Sequence, residues 1–202
     1  MIKFDKIYVK FVNDFFSLYD CNIEISTNTI LFEKNLCGTT AFMRTLAKLN
    51  KKYKGEIFVN KVNLKNIKDK DLNLVYLPET PTLFQHKSIK CNLTYPLKIR
   101  KINKYTINNK LNEIILEYNF FNFDKKIKNL NLYEQKIVAL LRTLIRKPKY
   151  VLIENLFENI EENHKSIIIS IIKKLQENSI IIASEKNVEN YKYYENYKKI
   201  EI

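Results

Sequence analysis

Residues 29–46 read TILFEKNLCGTTAFMRTL. Thr29–Phe32 is a short β-rich run and Glu33–Thr40 is a loop. Phe42 and Leu46, with Leu49 beyond them, then fall on one face of a helix. Strand, loop and helix in this order is the layout in which backbone N–H groups at a helix N-terminus cradle a phosphate. Such a loop needs glycine, because a Cβ keeps the backbone away from the anion. This loop holds Gly38, and the whole chain holds only two glycines, the other being Gly55. The layout of a phosphate site and a shortage of the residue that makes it work occur together.

The pattern continues outward on both sides. Residues 6–11 (KIYVKF) and Asn22–Ile25 alternate as early strands. Gly55 marks a turn before 56–59 (EIFV), and 74–77 (LVYL) is an apolar run stopped by Pro78. Residues 83–130 are more polar and helical in pattern, and are expected to form an inserted lobe of a single domain spanning 1–202. Ile137, Leu140, Leu141 and Leu144 define a helix that must end before Pro148. Residues 150–153 (YVLI) and 179–183 (SIIIA) are strands of the kind buried on both faces, with a helix over 162–176 between them. Apolar strands alternating with helices predict an α/β fold with a mostly parallel central sheet, an N-terminal antiparallel β part and a small helical lobe. Ligands of such sheets bind beyond the carboxyl ends of the strands. The loops after Phe32, Leu77, Ile153 and Ala183 are therefore expected along one edge.

Composition bounds the rest. The chain has 202 residues, 46% hydrophobic and 28% charged, with a formal charge of +13. That charge suits an acidic partner, either nucleic acid or an anionic membrane surface. The lysines are scattered, and Asn, Lys, Ile and Tyr share A/T-rich codons, so part of the excess reflects mutational bias. Cys21, Cys37 and Cys91 have no zinc-like spacing, and His86 and His164 stand far apart. Unpaired cysteines fit a reducing compartment. The N-terminus reads as a strand rather than a signal peptide. No apolar run approaches the roughly 18–20 residues of a membrane span. The chain ends soon after Glu185, so no regulatory C-terminal domain is expected.

Taken in order, these landmarks resemble the ATP-binding cassette (ABC) ATPase domain over nearly the whole chain. Asn35-Leu36-Cys37-Gly38-Thr39-Thr40 resembles the Walker A loop, with Glu33 and Leu36 at glycine positions and Thr39 at the lysine. Lys54-Gly55-Glu56-Ile57 is similar to the turn after the Walker A helix. Val75–Phe84 followed by Asn92-Leu93 resembles the Q-loop run, with Glu79 in place of glutamine. Leu130-Asn131-Leu132-Tyr133-Glu134-Gln135, leading into the helix with Arg142, resembles the LSGGQ signature, with Leu132 and Tyr133 replacing both glycines. Val151-Leu152-Ile153-Glu154-Asn155 resembles Walker B, with Glu154 at the magnesium aspartate and Asn155 at the catalytic glutamate. Glu161 aligns with the D-loop aspartate. Ile181–Glu185 is similar to the switch strand, with Glu185 replacing histidine.

The resemblance implies nucleotide contacts from Asn35, Leu36, Cys37, Gly38, Thr39, Thr40 and Ala41, with Phe11 stacking on adenine. It implies magnesium ligation by Thr40, Glu79 and Glu154, and a signature-like segment of Asn131, Leu132, Tyr133 and Glu134. The substitutions weaken this machinery. A charge-assisted hydrogen bond contributes about 1.5–3 kcal/mol against about 1 for a neutral one, so Thr39 is a poor substitute for lysine. Leu36 adds about 1–2 kcal/mol of strain where its position needs positive φ. Nucleotide affinity is expected to fall by roughly two or three decades. Asn155 cannot act as a general base, and Glu185 would place an anion beside a polyphosphate. In the family each ATP lies between Walker A of one subunit and the signature of the other, so Tyr133 would spoil the partner's site too.

The expectation is a non-hydrolysing ABC-type subunit that binds ATP and magnesium weakly or not at all. It would be a scaffold or regulatory partner of another cassette subunit or a membrane permease, cytoplasmic or peripheral at the inner face of a membrane. The alternatives are a slow ATP-hydrolysing transporter subunit, and a basic nucleic-acid or ribosome-binding protein on the same frame.

Overall fold

The computed structural model describes residues 1–10, 16–32, 38–119 and 122–202. They divide into two compact units. The first comprises Met1–Tyr76, Lys149–Glu158 and Ser179–Ile202, and carries both sheets. An antiparallel sheet has the order β2 (Phe16–Ile25), β1 (Ile2–Lys10), β4 (Lys54–Val59), β5 (Val62–Asn63). A second sheet has the order β6 (Leu74–Leu77), β7 (Tyr150–Glu154), β8 (Ile180–Ser184), β3 (Thr29–Phe32), β9 (Lys198–Glu201). The β7–β8, β8–β3 and β3–β9 pairs are all parallel. This is the expected α/β architecture with an antiparallel part at the N-terminus.

The alternation of β1 puts Ile2, Phe4, Ile7 and Val9 into the core. Helix α1 (Gly38–Leu46) lays Phe42, Met43 and Leu46 on the same core. Phe42 stacks on Phe4, with ring centroids 4.0 Å apart. Burial of one such ring contributes roughly 1.5–3 kcal/mol, so this contact fixes the helix that starts the candidate phosphate site.

Two sequence expectations are corrected here. Leu49 does not extend the apolar face of α1. The chain turns left-handed at Lys48 (φ 61), and Leu49 is 59% exposed. Gly55 is not in a turn before β4 but inside it, opposite an irregular stretch of β1 between Asp5 and Tyr8. Its φ is +94, and a Cβ there would lie 2.2 Å from the Lys6 carbonyl oxygen. Only glycine lets the two strands approach so closely.

The second unit comprises Leu77–Pro148 and Asn159–Asn178. It is built from α2 (Ile89–Ile99), α3 (Lys104–Glu117), α4 (Leu132–Arg146) and α5 (Glu162–Gln176). Helix α4 packs against α2, α3 and α5. It ends where Lys147 turns left-handed (φ 49), directly before Pro148. Asn92, fully buried, pins the loop ahead of α2. Its side chain accepts from Phe84 N–H at 2.8 Å and donates to the carbonyls of Phe84 and Ser88. No helix among the described residues is long and apolar enough to cross a membrane.

Candidate functional site

The parallel pairing brings β3, β7 and β8 to a common edge. Glu154 is in register with Ser184, and Ser184 with Leu31. Glu154, the last residue of β7, is only 6% exposed. Its Oε2 accepts a hydrogen bond from the Tyr76 phenol at 2.5 Å. Its Oε1 is buried and has no hydrogen-bond partner among the described residues. Burial, followed by the bond to Glu154, pushes the Tyr76 phenol well above its usual range, with Arg44 opposing. The phenol therefore keeps its proton at neutral pH and acts as a donor.

The next residues after the two strand ends, Asn155 and Glu185, are both buried. Asn155 adopts a left-handed conformation (φ 46), one that asparagine tolerates better than most residues. Its N–H donates to the Ser184 carbonyl at 2.8 Å, and its Oδ1 accepts from Lys186 N–H at 2.9 Å. Glu185 Oε1 accepts from the N–H groups of Leu156 (3.0 Å) and Phe157 (3.3 Å) and from the Tyr194 hydroxyl (3.0 Å). Its Oε2 accepts from Asn190 at 3.4 Å. Burial, then the neighbouring Glu185 charge, pushes the Tyr194 phenol well above its ordinary value, so it too remains a donor. The carboxylate at the switch position is thus held by two backbone amides and a buried phenol.

At the start of α1, Gly38 and Thr39 are buried, Ala41 is half-buried and Thr40 is exposed. Phe11, Asn35, Leu36 and Cys37 lie outside the described residues.

Glu79 and the signature-like segment belong to the second unit. Glu79 is half-buried there. Asn131 caps α4, its Oδ1 accepting from Glu134 N–H at 2.8 Å, while Glu134 Oε2 accepts from Asn131 N–H at 2.8 Å. This capping box satisfies two of the donors that a helix start otherwise offers to an anion. It also fixes a carboxylate at the positive end of the helix, where a phosphate would compete with it. Leu132 is exposed, and the Tyr133 ring stacks on His164 of α5 at 4.3 Å and 17°.

Among the described residues, no group of three or more His, Cys, Asp or Glu side chains converges on a metal site. Magnesium is commonly held by one or two carboxylates plus water and substrate phosphates. The unpartnered Oε1 of Glu154 fits such a role.

Sequence reasoning missed Tyr76, Tyr194, Asn190 and His164, the residues that hold the predicted positions in place. Tyr76 carried a signal, since it puts a hydroxyl in an otherwise apolar strand. Tyr194 and Asn190 lie in a polar, tyrosine-rich stretch and carried none.

The comparisons agree with this geometry. The ABC transporter family model matches residues 19–157. The chain is 27% identical over 168 residues to the sn-glycerol-3-phosphate import ATP-binding protein of Bartonella bacilliformis, covering 81% of this chain and 48% of that protein. It is 29% identical over 163 residues to the molybdate/tungstate import ATP-binding protein of Methanocaldococcus jannaschii, covering 80% and 55%. It is 31% identical over 144 residues to an Fe(3+) ions import ATP-binding protein of Pectobacterium atrosepticum, covering 70% and 40%. The chain thus spans about half the length of the curated relatives it matches. A solved bacterial Atm1-family ABC exporter with ATP bound superposes with a TM-score of 0.77 at 15% identity, over 94% of this chain and 35% of that one, which places the fold among the P-loop NTPases. With the family model matching well over half its length, the chain belongs to the ABC transporter family, as a nucleotide-binding domain.

Proposed function

We propose that this chain is a non-hydrolysing ATP-binding cassette subunit, acting in the cytoplasm as a scaffold or regulator beside another cassette subunit or a membrane permease. The observation that carries this reading is the mutual engagement of Asn155 and Glu185. The side chains at the base and switch positions are buried and bonded to backbone amides. The Asn155 amide is no base for an attacking water, and the Glu185 carboxylate is occupied by the bonds that hold its loop. The self-capped start of α4, with a carboxylate fixed at its N-terminus, supports the same reading for a partner's phosphate.

Weak ATP and magnesium binding is part of the proposal. Glu154 and Thr40 would hold the ion, with Glu79 a further candidate ligand, and the ion would screen the phosphate charge. Gly38, Thr39 and Ala41 would face the phosphates from the start of α1. Import permeases are the partners suggested by the relatives, which are named as import ATP-binding proteins.

One observation favours the slow-ATPase alternative. The second oxygen of Glu154 has no hydrogen-bond partner among the described residues, which suits a ligand to a cation. Steady-state ATP hydrolysis with magnesium, by the chain alone and mixed with a competent cassette, separates the two readings. Phosphate release by the chain alone at the level of a protein-free control, and by the mixture at no more than the level of the competent cassette alone, supports the scaffold. Turnover above that level that is abolished by Glu154→Gln overturns it.

A further inference from the structure

From Thr80 to Asn112 the sequence contains no aspartate or glutamate and seven Lys or Arg residues. Four of the seven stand close together in sequence at the turn between α2 and α3. Every residue from Lys98 to Tyr105 is exposed. The cations are Lys98, Arg100, Lys101 and Lys104. Between them stand Ile99 (63% exposed), Ile102 (38%) and Tyr105 (76%).

The turn is built to hold this shape. Lys101 is left-handed (φ 56), its N–H donates to Lys98 O at 2.9 Å, and Ile102 N–H donates to Leu97 O at 3.1 Å. These two bonds are the Schellman closure of a helix C-terminus. Asn103 then caps α3, its side chain accepting from Thr106 N–H at 2.8 Å. Two helix ends therefore fix the tip, and the apolar side chains are presented without a further ordering cost. Burial, and then the nearby Arg100 and Arg142, push the Arg146 guanidinium of α4 below its usual range.

We propose that the α2–α3 turn docks directly on an anionic lipid surface, with Ile99, Ile102 and Tyr105 entering the headgroup region and Lys98, Arg100, Lys101 and Lys104 pairing with lipid phosphates. Alternating cations and apolar side chains on one exposed tip is the pattern of interfacial binding. Each cation near an anionic bilayer contributes additively, and tyrosine favours the boundary between headgroup and acyl chain. A nucleic acid fits less well, because isoleucines offer bases no stacking face.

The chain contains no tryptophan, so Tyr105→Trp supplies a single local reporter. This variant is mixed with vesicles of phosphatidylcholine alone, and with vesicles of equal parts phosphatidylcholine and phosphatidylglycerol. A blue shift on the mixed vesicles, absent on the neutral ones and reversed by salt, is expected. Replacing Lys98, Arg100, Lys101 and Lys104 together by glutamine lowers the partition by roughly 100-fold or more. Replacing Ile99 and Ile102 by serine lowers it by about tenfold or more. All these positions are exposed, and far-UV circular dichroism confirms that the variants fold. No blue shift on the mixed vesicles overturns the proposal. So does equal loss when Lys51, Lys52 and Lys54 are replaced instead, which would reduce the effect to general charge. A shift produced by RNA but not by vesicles assigns the tip to nucleic acid and also overturns it. The experiment needs neither nucleotide nor transport partner, so its outcome is independent of the hydrolysis test above.

Discussion

Asn155 and Glu185 each accept hydrogen bonds from the backbone that follows the other's strand. The Asn155 amide oxygen takes Lys186 N–H after β8, and the Glu185 carboxylate takes Leu156 and Phe157 N–H after β7. Each loop is therefore closed by the side chain at the head of the other. Glu185→Ala strands two buried amides and the Tyr194 hydroxyl, and is expected to lower the unfolding free energy by about 3 kcal/mol or more. Glu185→Gln keeps an acceptor but loses the charge, at about half that cost. Urea denaturation measures both. A Glu185→Ala variant within about 0.5 kcal/mol of the parent is in the range of an ordinary surface change and would refute the clamp. Glu185→His, which restores the family's residue, is expected to destabilise the fold without producing ATP turnover.

Tyr76 and Glu154 form the second coupled pair. The phenol donates to one carboxylate oxygen while the other is buried without a partner among the described residues. Tyr76→Phe removes a bond to a charged group, worth about 1.5–3 kcal/mol. In a double-mutant cycle with Glu154→Leu, the coupling energy is expected to exceed about 1 kcal/mol. An oriented carboxylate is also the better ligand. Loss of such a supporting bond typically reduces metal affinity by about 10–100-fold. Manganese titration followed by electron spin resonance should show weaker binding for Tyr76→Phe. Unchanged or tighter binding would mean that Tyr76 does not position Glu154 for a cation.

The start of α4 offers a test of why the signature-like segment differs from the family pattern. Asn131→Ala breaks the cap and is expected to lower stability by about 1 kcal/mol. Replacing Leu132 and Tyr133 by glycine adds flexibility to the first turn and removes the ring stacked on His164. That double variant should be less stable than the parent by about 1–2 kcal/mol. If it is instead neutral in thermal unfolding, Tyr133 contributes nothing to the lobe, and its place needs another explanation.

The parts of this fold that were legible in the sequence are those set by local periodicity. Thr29–Phe32, Leu74–Leu77 and the helix Glu162–Gln176 occur at the bounds their patterns predict. Strand β9 was not legible, because Lys198–Glu201 is a mostly exposed strand at the sheet edge with lysines at two of its four positions. Leu49 was misplaced because a lysine, not a glycine, takes the left-handed turn that ends α1. At the candidate site, the positions of Glu154, Asn155 and Glu185 could be read from strand ends. Their partners could not, since Tyr76 is 78 residues from Glu154, and Leu156 is 29 residues from Glu185. Hydrogen bonds closed across such separations leave no periodic trace.

Gly55 leaves no room for a side chain. A methyl group there meets the Lys6 carbonyl oxygen at 2.2 Å and the Asp5 carbonyl oxygen at 2.7 Å, and both are backbone atoms that cannot rotate away. Gly55→Ala also forces an L-residue to φ +94. The expected loss exceeds about 4 kcal/mol, in the rare class of point changes that unfold a domain. Soluble expression with a normal melting transition would show that β1 and β4 can separate at low cost.

Cys21 provides a pH-dependent test of the antiparallel sheet. Cys21 lies on β2 opposite Ile7 of β1 with its side chain in the hydrophobic core, and burial, reinforced by Asp20, pushes the thiol from 9.0 up to about 11. The folded state therefore holds this proton more tightly than the unfolded chain. Its contribution is complete below pH 9 and is lost as the pH rises through 11. The loss is of order 2–3 kcal/mol. Other phenols and lysines titrate in the same window, so the measurement is the difference between the parent and Cys21→Ser, which should lack this part of the alkaline slope. Iodoacetamide labelling gives an independent reading. Exposed Cys91 should be open to the reagent in the folded state, and Cys21 should react only as fast as the sheet opens. Equal labelling of the two under native conditions would show that β1 and β2 part readily, and would remove the basis for the alkaline slope.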